Sequence, residues 1–495
     1  MIANNVFTSA IKTFFFYVSI FMIFSVKKLF KSSASIILVF FTTLSWAQAT
    51  SPAVEGTMPE DFLSDLKVII NSALRQSPQM VSSEIQITQA ELNRVAVAAQ
   101  RLPGLSSSAS FAWSRITSDL PEPVGGFRPG QPTSNQDVAY GPYYSVNAGQ
   151  TLFTWFQVTN QLKIADIAIK ISQKNYADAY AGLAGLIRSQ YLGLIFQKVN
   201  LRNQRFNLKQ TARLLALDEE RLKNGEMAPA QLIQPRIAYA ALVLAMDQSE
   251  TLYKSSMRRV ARLAGMESIN EEAIPLEVPK LKIEANAPAT LAAIYQRDGV
   301  ESTFQGQVNA LRIKEADLNY KITSTRLLPR IGISVNASKY NSSTVTATAI
   351  TQTAAFSTSA SVGGTWTIFD GFATRAAKLS VLANKRALVQ QQKNLTAQIS
   401  DQLENTVKFI SFLSQTLEMT EAARYSSAVN LDRVREEFKL GSVTEDAVTS
   451  SMIQLHEYDT KVVSARADLM IRWCELVSLV CVDPVLTQIP ARYVH

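Results

Sequence analysis

Few side chains in this sequence are able to do covalent or metal chemistry. Only two histidines and two cysteines occur: His456, His495, Cys474 and Cys481. A structural zinc site or a histidine-dependent catalytic centre would need nearly all of them, which argues against both. No nucleotide-binding glycine loop, catalytic triad or metal cluster is visible, so no cofactor is called for. Paired acids such as Glu436-Glu437 fall in helical stretches without an accompanying motif and read as solvated faces. Cys474 and Cys481 lie seven apart on a predicted helix, roughly 10 Å along its axis, too far for a disulfide unless the helix breaks. They read as buried thiols, and an enzyme is the least supported class.

The elements must therefore explain the chain. Lys27, Lys28 and Lys31 precede the apolar run Ile36–Phe41, and Ala47-Gln48-Ala49 closes the segment with a small-x-small pattern. Basic, apolar and small regions in that order predict a secretory signal peptide over residues 1–49, and a start at Met22 would give it ordinary proportions. No Cys follows the cleavage site, so a lipoprotein anchor is not expected. The segment holds four Lys and no acids, so its removal lowers the formal charge from +8 to +4. No later run of Lys and Arg points to nucleic acid. Beyond residue 50 no stretch of 18 apolar residues occurs, so membrane crossing by the mature chain would have to use strands.

Two stretches answer each other at a fixed distance. Leu152-Phe153-Thr154-Trp155-Phe156 returns as Ile368-Phe369-Asp370-Gly371-Phe372, and Lys223-Asn224-Gly225-Glu226 returns as Lys439-Leu440-Gly441-Ser442. Both the aromatic and the glycine landmarks are offset by 216 residues, which predicts an internal two-fold repeat. Leu102-Pro103 and Leu328-Pro329 form a third pair at an offset of 226; the difference falls in Ser118–Asp137, read as a surface loop. Each copy reads as a helix stopped by Leu-Pro, two strands, a very long helix, a glycine turn and a returning helix.

The strands follow period two. Leu105, Ala109, Phe111 and Trp113 share one face, and Ser106, Ser108, Ser110 and Ser114 the other; Ile331, Ile333, Val335 and Ala337 oppose Gly332, Ser334, Asn336 and Ser338. The partner strands place Tyr144, Val146, Ala148 and Leu152, then Phe356, Ala360, Val362, Trp366 and Ile368, on the apolar side. One apolar and one small-polar face is the pattern of a barrel with lipid outside and water inside. Aromatic residues crowd the strand ends, among them Trp113, Tyr140, Tyr143, Tyr144, Phe153, Trp155, Phe156, Trp366, Phe369 and Phe372, as at a membrane–water boundary.

The long helices follow another period. Leu395, Ile399, Leu403, Val407, Ile410, Leu413 and Leu417 make a narrow stripe over 22 residues. A helix from just after Phe369 to just before Gly441 would span roughly 95–100 Å. Rods of that length suit a cylinder of packed helices. Four strands cannot close a barrel alone, and an open edge in lipid costs several kcal/mol per unpaired group. The barrel must be shared between chains: two would give eight strands, three twelve.

The leader, the duplicated plan, the Leu-Pro pairs and the glycine turns together resemble the TolC-like outer-membrane factors across the mature chain. The resemblance implies an α+β membrane protein: a homotrimeric 12-stranded β-barrel with four strands per chain, continued by a long α-helical coiled-coil tunnel in the periplasm of a Gram-negative bacterium. Residues 50–285 would form the first repeat, 286–485 the second and 486–495 a C-terminal tail, with the linker Met266–Thr290 in a belt around the tunnel. A periplasmic adaptor would dock at Asn224, Gly225, Glu226, Leu440, Gly441 and Ser442, and an inner-membrane pump would supply energy to a passive exit duct. Family members commonly constrict the entrance with an acid six positions after the second tip glycine. Here that position is Ala447, preceded by Glu445 and Asp446, which take the entrance assignment instead. The absent lipoprotein Cys leans towards type I protein secretion or a general exit duct over dedicated small-molecule efflux. The alternative is a periplasmic coiled-coil scaffold or adaptor with a small soluble β-domain.

Overall fold

The computed structural model describes residues 57–119, 134–284, 286–345 and 350–493. The predicted leader at 1–49, the centre of the first strand loop and His495 lie outside them. The chain enters through α1 (Pro59–Phe62), α2 (Ser64–Gln76) and α3 (Pro78–Ala99). Strands β1 (Gly104–Asp119) and β2 (Ser134–Phe153) lead into α4 (Gln157–Lys223), and α5 (Pro229–Ala264) returns. After α6 (Ala287–Asp298) the plan recurs as α7 (Phe304–Ser324), β3 (Arg330–Val345), β4 (Ile350–Thr365), α8 (Ala373–Lys439) and α9 (Glu445–Leu479). The predicted stops at Leu102-Pro103 and Leu328-Pro329 fall between α3 and β1 and between α7 and β3.

Both long helices contain 67 residues, which makes each about 100 Å long at 1.5 Å per residue. They are entered identically. Trp155 and Phe156 take φ of 52° and 63°, and Gly371 and Phe372, 216 positions on, take 62° and 64°. Two successive left-handed residues turn the chain out of the sheet direction, and only Gly adopts that conformation without Cβ strain.

The strands form one antiparallel sheet in the order β1-β2-β3-β4. Its register aligns like with like across all four strands. Leu105, Ala148, Val335 and Ala360 share one row, and Ala109, Tyr144, Lys339 and Phe356 another, on the apolar face. On the opposite face Ser106, Asn147, Asn336 and Ser359 line up, as do Ser108, Ser145, Ser338 and Ser357. Hydroxyl pairs bridge strands there: Ser108 to Ser145 and Ser334 to Ser361, both at 2.8 Å. The apolar face is bare, with Leu105 71% and Phe111 79% exposed. Among the described residues the outer edges of β1 and β4 have no strand partner. No described helix is long and apolar enough to cross a membrane.

Three boundaries differ from the sequence reading. Trp366 and Ile368 alternate like strand residues, yet β4 ends at Thr365, because the chain must leave the ladder before the Gly371-Phe372 turn. Ser118, Asp119 and Ser134–Asp137 pair within the hairpin, so its loop is shorter than predicted. The irregular linker ends at Asn286, since Pro288 opens α6, where its missing amide costs nothing.

The core lies midway along the long helices. Leu183, Ile187, Tyr191, Leu192, Leu194, Ile195 and Val199 of α4 are buried nearly all round, against Leu66 and Ile70 of α2, Tyr253 and Val260 of α5, Met470, Trp473 and Val477 of α9, and Ile274 and Val278 of the linker. A helix apolar on every side needs neighbours on every side, and this is where they converge. The stripe of α8 also packs inward: Ile399, Leu403, Ile410 and Leu417 are buried, with Leu395, Val407 and Leu413 partly so.

Candidate functional site

The hairpin tips share one backbone geometry. At the first, the Gly225 amide donates to Leu222 O at 3.1 Å and the Glu226 amide to Arg221 O at 2.9 Å. At the second, Gly441 donates to Phe438 O at 2.9 Å and Ser442 to Glu437 O at 3.0 Å. Each pair is a Schellman closure, with glycine at the left-handed position, φ 76° and 73°. Asn224, Gly225, Glu226, Leu440, Gly441 and Ser442 are all exposed, and Leu440 is 83% so. The closure leaves the tips unburied, with the Ser442 hydroxyl turned back to donate to Glu437 O at 2.8 Å.

Glu445 and Asp446 occupy the first turn of α9, where carboxylates complement the helix dipole. Glu445 is held by a residue that sequence reasoning missed. Arg213 of α4 donates from Nη1 to Oε1 at 2.5 Å and from Nη2 to Oε2 at 2.7 Å, a bidentate fork across the two hairpins. These hydrogen bonds hold the Glu445 carboxyl below the usual carboxylate range. Arg213 also feels Asp446 electrostatically. A second bridge within the first hairpin joins Arg236 of α5 to Glu219 of α4 at 2.9 Å. Glu436 and Glu437 make helix-surface ion pairs with Lys439 and Arg433, as expected of solvated faces.

A buried clamp ties the chain ends to α4. The Arg188 side chain is fully enclosed. It donates from Nε to Glu60 Oε2 at 3.0 Å and from Nη2 to Asp483 Oδ1 at 3.0 Å, with Nη1 on Asp483 Oδ2 at 2.5 Å. Asp483 Oδ1 also caps the turn that follows, accepting from the Val485 amide at 3.0 Å. The predicted tail folds back too: Tyr493 is buried and its hydroxyl donates to Glu84 of α3. A further cluster ties the linker to the second hairpin: Glu421 of α8 receives Lys280 of the linker at 2.5 Å and Arg466 of α9 at 2.8 Å. Burial pushes the Glu421 carboxyl up, but the bonds from Lys280 and Arg466 outweigh it and hold it low.

At the base of the sheet, two indoles hold the Leu-Pro turn before β3, Trp155 from the first half of the chain and Trp366 from the second. Trp155 Nε1 donates to Pro329 O at 2.7 Å, and Trp366 Nε1 to Leu327 O at 3.1 Å. Phe153 packs edge-on against Trp155, and Phe369 against Phe372. Tyr143 and Tyr144 sit within the strand rather than at its end, opposite Ser110 and Ala109.

The remaining chemistry-bearing residues are structural. Cys474 and Cys481 are free and buried. The helix does break between them: α9 ends at Leu479, and Cys481 takes φ 58° in another Schellman closure, its amide donating to Ser478 O. His456 lies edge-on to Phe206 with ring centroids 4.9 Å apart. Among the described residues no group of His, Cys, Asp and Glu is arranged to hold a metal.

Comparison with known proteins agrees with this architecture. Residues 69–266 match the family model described as outer membrane efflux protein. The Campylobacter jejuni CmeC outer membrane channel superposes with a TM-score of 0.66 at 12% identity, over 90% of this chain and 93% of that one. The outer membrane protein VceC of Vibrio cholerae gives 0.58 at 15% identity, over 84% and 96%. The open-state MtrE outer membrane channel of Neisseria gonorrhoeae gives 0.58 at 13%, over 84% and 88%. A search of curated protein sequences gives no match. In residues 69–266 and in its fold, the chain resembles the TolC-like outer membrane efflux proteins.

Proposed function

We propose that the protein is a passive outer-membrane exit duct, assembled from three chains, that docks a periplasmic adaptor at its hairpin tips and leads substrate from an inner-membrane pump to the exterior. The observation that carries this reading is the open four-stranded sheet, apolar on one face, polar on the other and unpaired at both edges. Lipid covers the apolar face and water the serine face, and each edge pairs with the next chain. The aromatic rows fit this placement: Phe153 and Tyr144 lie eight pleats apart along the β2–β3 ladder, roughly 26 Å, the height of an apolar band.

The helices favour the same closure. Side by side they run α3, α4, α7, α8, which leaves α3 and α8 as flanks. Both flanks are apolar and bare: Val81, Ile85, Leu92 and Val95 on α3, Leu379 and Val389 on α8. One flank meeting the other on the next copy is a head-to-tail contact, which closes into a ring. Two copies would give eight strands and a filled lumen; three give twelve and leave a water-filled passage.

The duct serves type I protein secretion or small-molecule efflux, and it supplies no energy itself. Native mass spectrometry of protein extracted from outer membranes in detergent tests the assembly. A trimer of the processed chain supports the duct, whereas a monomer recovered from the soluble periplasm overturns it.

A further inference from the structure

Just below the sheet, α4 and α7 line an open groove of about 470 Å³ whose walls carry one motif twice. Lys163, Asp166 and Lys170 on α4 have the same spacing as Lys314, Asp317 and Lys321 on α7. The two helices run in opposite directions from the paired residues Phe153 and Ile331. Lys163 and Lys321 each lie ten residues from that pair, and Lys170 and Lys314 each lie seventeen, so the lysines enter the groove as two pairs, one nearer the sheet than the other. The 216-residue repeat does not account for this, because it maps α4 onto α8, where Lys163 meets Leu379 and Asp166 meets Leu382.

The carboxylates do not neutralise the lysines. Asp166 is held by Arg94 of α3 at 2.5 Å, and Asp317 by Lys385 of α8 at 2.7 Å. None of the four groove lysines makes an ion pair among the described residues, so four positive charges face a cleft floored by Ile167 and Leu318. Like charges lining one groove repel, and a bound anion would relieve them. The aliphatic floor suits a ligand that is not wholly polar.

We propose that this groove binds the phosphate groups of anionic phospholipids in the leaflet at the base of the barrel. The proposal rests on the membrane-duct reading above. Lys163 lies six residues past the start of α4 and Lys321 three before the end of α7, just below the level of Trp155 and Trp366, with Lys170 and Lys314 about two turns further from the sheet. Headgroup phosphates of that leaflet lie at the depth of Lys163 and Lys321, the lower pair extends the positive field about 10 Å below them, and lysines facing an anionic lipid surface each contribute about fivefold in binding.

The test uses the full mature protein, extracted from membranes in detergent and titrated with phosphatidylglycerol or phosphatidylcholine of equal chain length under native mass spectrometry. The variants are Lys163→Gln/Lys321→Gln and the quadruple Lys163→Gln/Lys170→Gln/Lys314→Gln/Lys321→Gln. The expected result is tighter retention of phosphatidylglycerol by the wild type, about twentyfold weaker in the double variant and a hundredfold or more weaker in the quadruple, with phosphatidylcholine unchanged. Equal phosphatidylglycerol binding by all three overturns the proposal. Displacement of the lipid by millimolar inorganic phosphate assigns a free-anion site and also overturns it. A shift only in the channel's anion–cation reversal potential places the lysines in the lumen and does the same. Protein recovered without membrane would overturn the duct reading itself; membrane-extracted oligomer with no lipid difference overturns this inference alone.

Discussion

Arg213 and Glu445, 232 residues apart, meet through a two-bond fork that joins the first hairpin to the start of the returning helix of the second. Both side chains are about half exposed, so the pair adds little to global stability but fixes the spacing of the hairpins. Arg213→Ala is expected to raise single-channel conductance in planar bilayers while leaving thermal stability unchanged. Unchanged conductance would show that the fork does not restrain the entrance.

The same contact predicts a pH response. The Glu445 carboxyl is held low by Arg213, so the bond is fully made above the ordinary Glu range of about 4.3 and is lost as pH falls through the lower folded value. Conductance should rise on acidification below about pH 4 in the wild type and stay flat in Glu445→Gln.

The tip glycines should each resist replacement. Gly225→Ala and Gly441→Ala force a Cβ into the left-handed region, at about 1 kcal/mol apiece, and loosen the Schellman closures. Hydrogen exchange at the Glu226 and Ser442 amides should quicken several-fold, with amides of the central core unaffected. Unaltered exchange would mean that the tips do not depend on glycine.

The Arg188 clamp should behave as a unit. Arg188→Ala leaves the Glu60 and Asp483 carboxylates beside an emptied buried site and is expected to cost about 3–5 kcal/mol. Adding Glu60→Gln and Asp483→Asn to Arg188→Met should recover much of the loss in urea titrations. Additive losses across the three sites would refute the clamp.

The thiols should be silent in the native protein. Burial pushes Cys474 up to about 12 and Cys481 up to about 11, so little thiolate forms at pH 8. Intact-mass measurement after iodoacetamide treatment should show no adduct when folded and two when unfolded; a single native adduct would place one thiol at the surface.

Much of this architecture was legible because similar landmarks recur at a fixed spacing along the sequence. The interval between aromatic and glycine landmarks anticipated both helices, and period-two alternation anticipated the sheet face by face. Reading by alternation alone overran at Trp366 and Ile368, where spacing persists after the hydrogen bonding has stopped. The contacts at the candidate site were not legible. Arg188 finds partners 128 and 295 residues away, and no local pattern marks which arginine will be enclosed. Trp155 was visible as an aromatic, but its left-handed backbone was not, since bulky residues seldom adopt it. The paired Lys-Asp-Lys spacing on α4 and α7 was readable in principle, once the two helices were known to face each other.

The equality of the two long helices also limits how the chain can vary. Removing one residue from either would draw its tip back by about 1.5 Å and swing it through about 100°, so one hairpin would fall out of step with the other. Losses of seven residues, close to two whole turns, matched in α4, α5, α8 and α9 would keep every face in place and shorten both hairpins by about 10 Å. Related chains of different reach should therefore differ by heptads matched in both arms of each hairpin, with the sheet untouched.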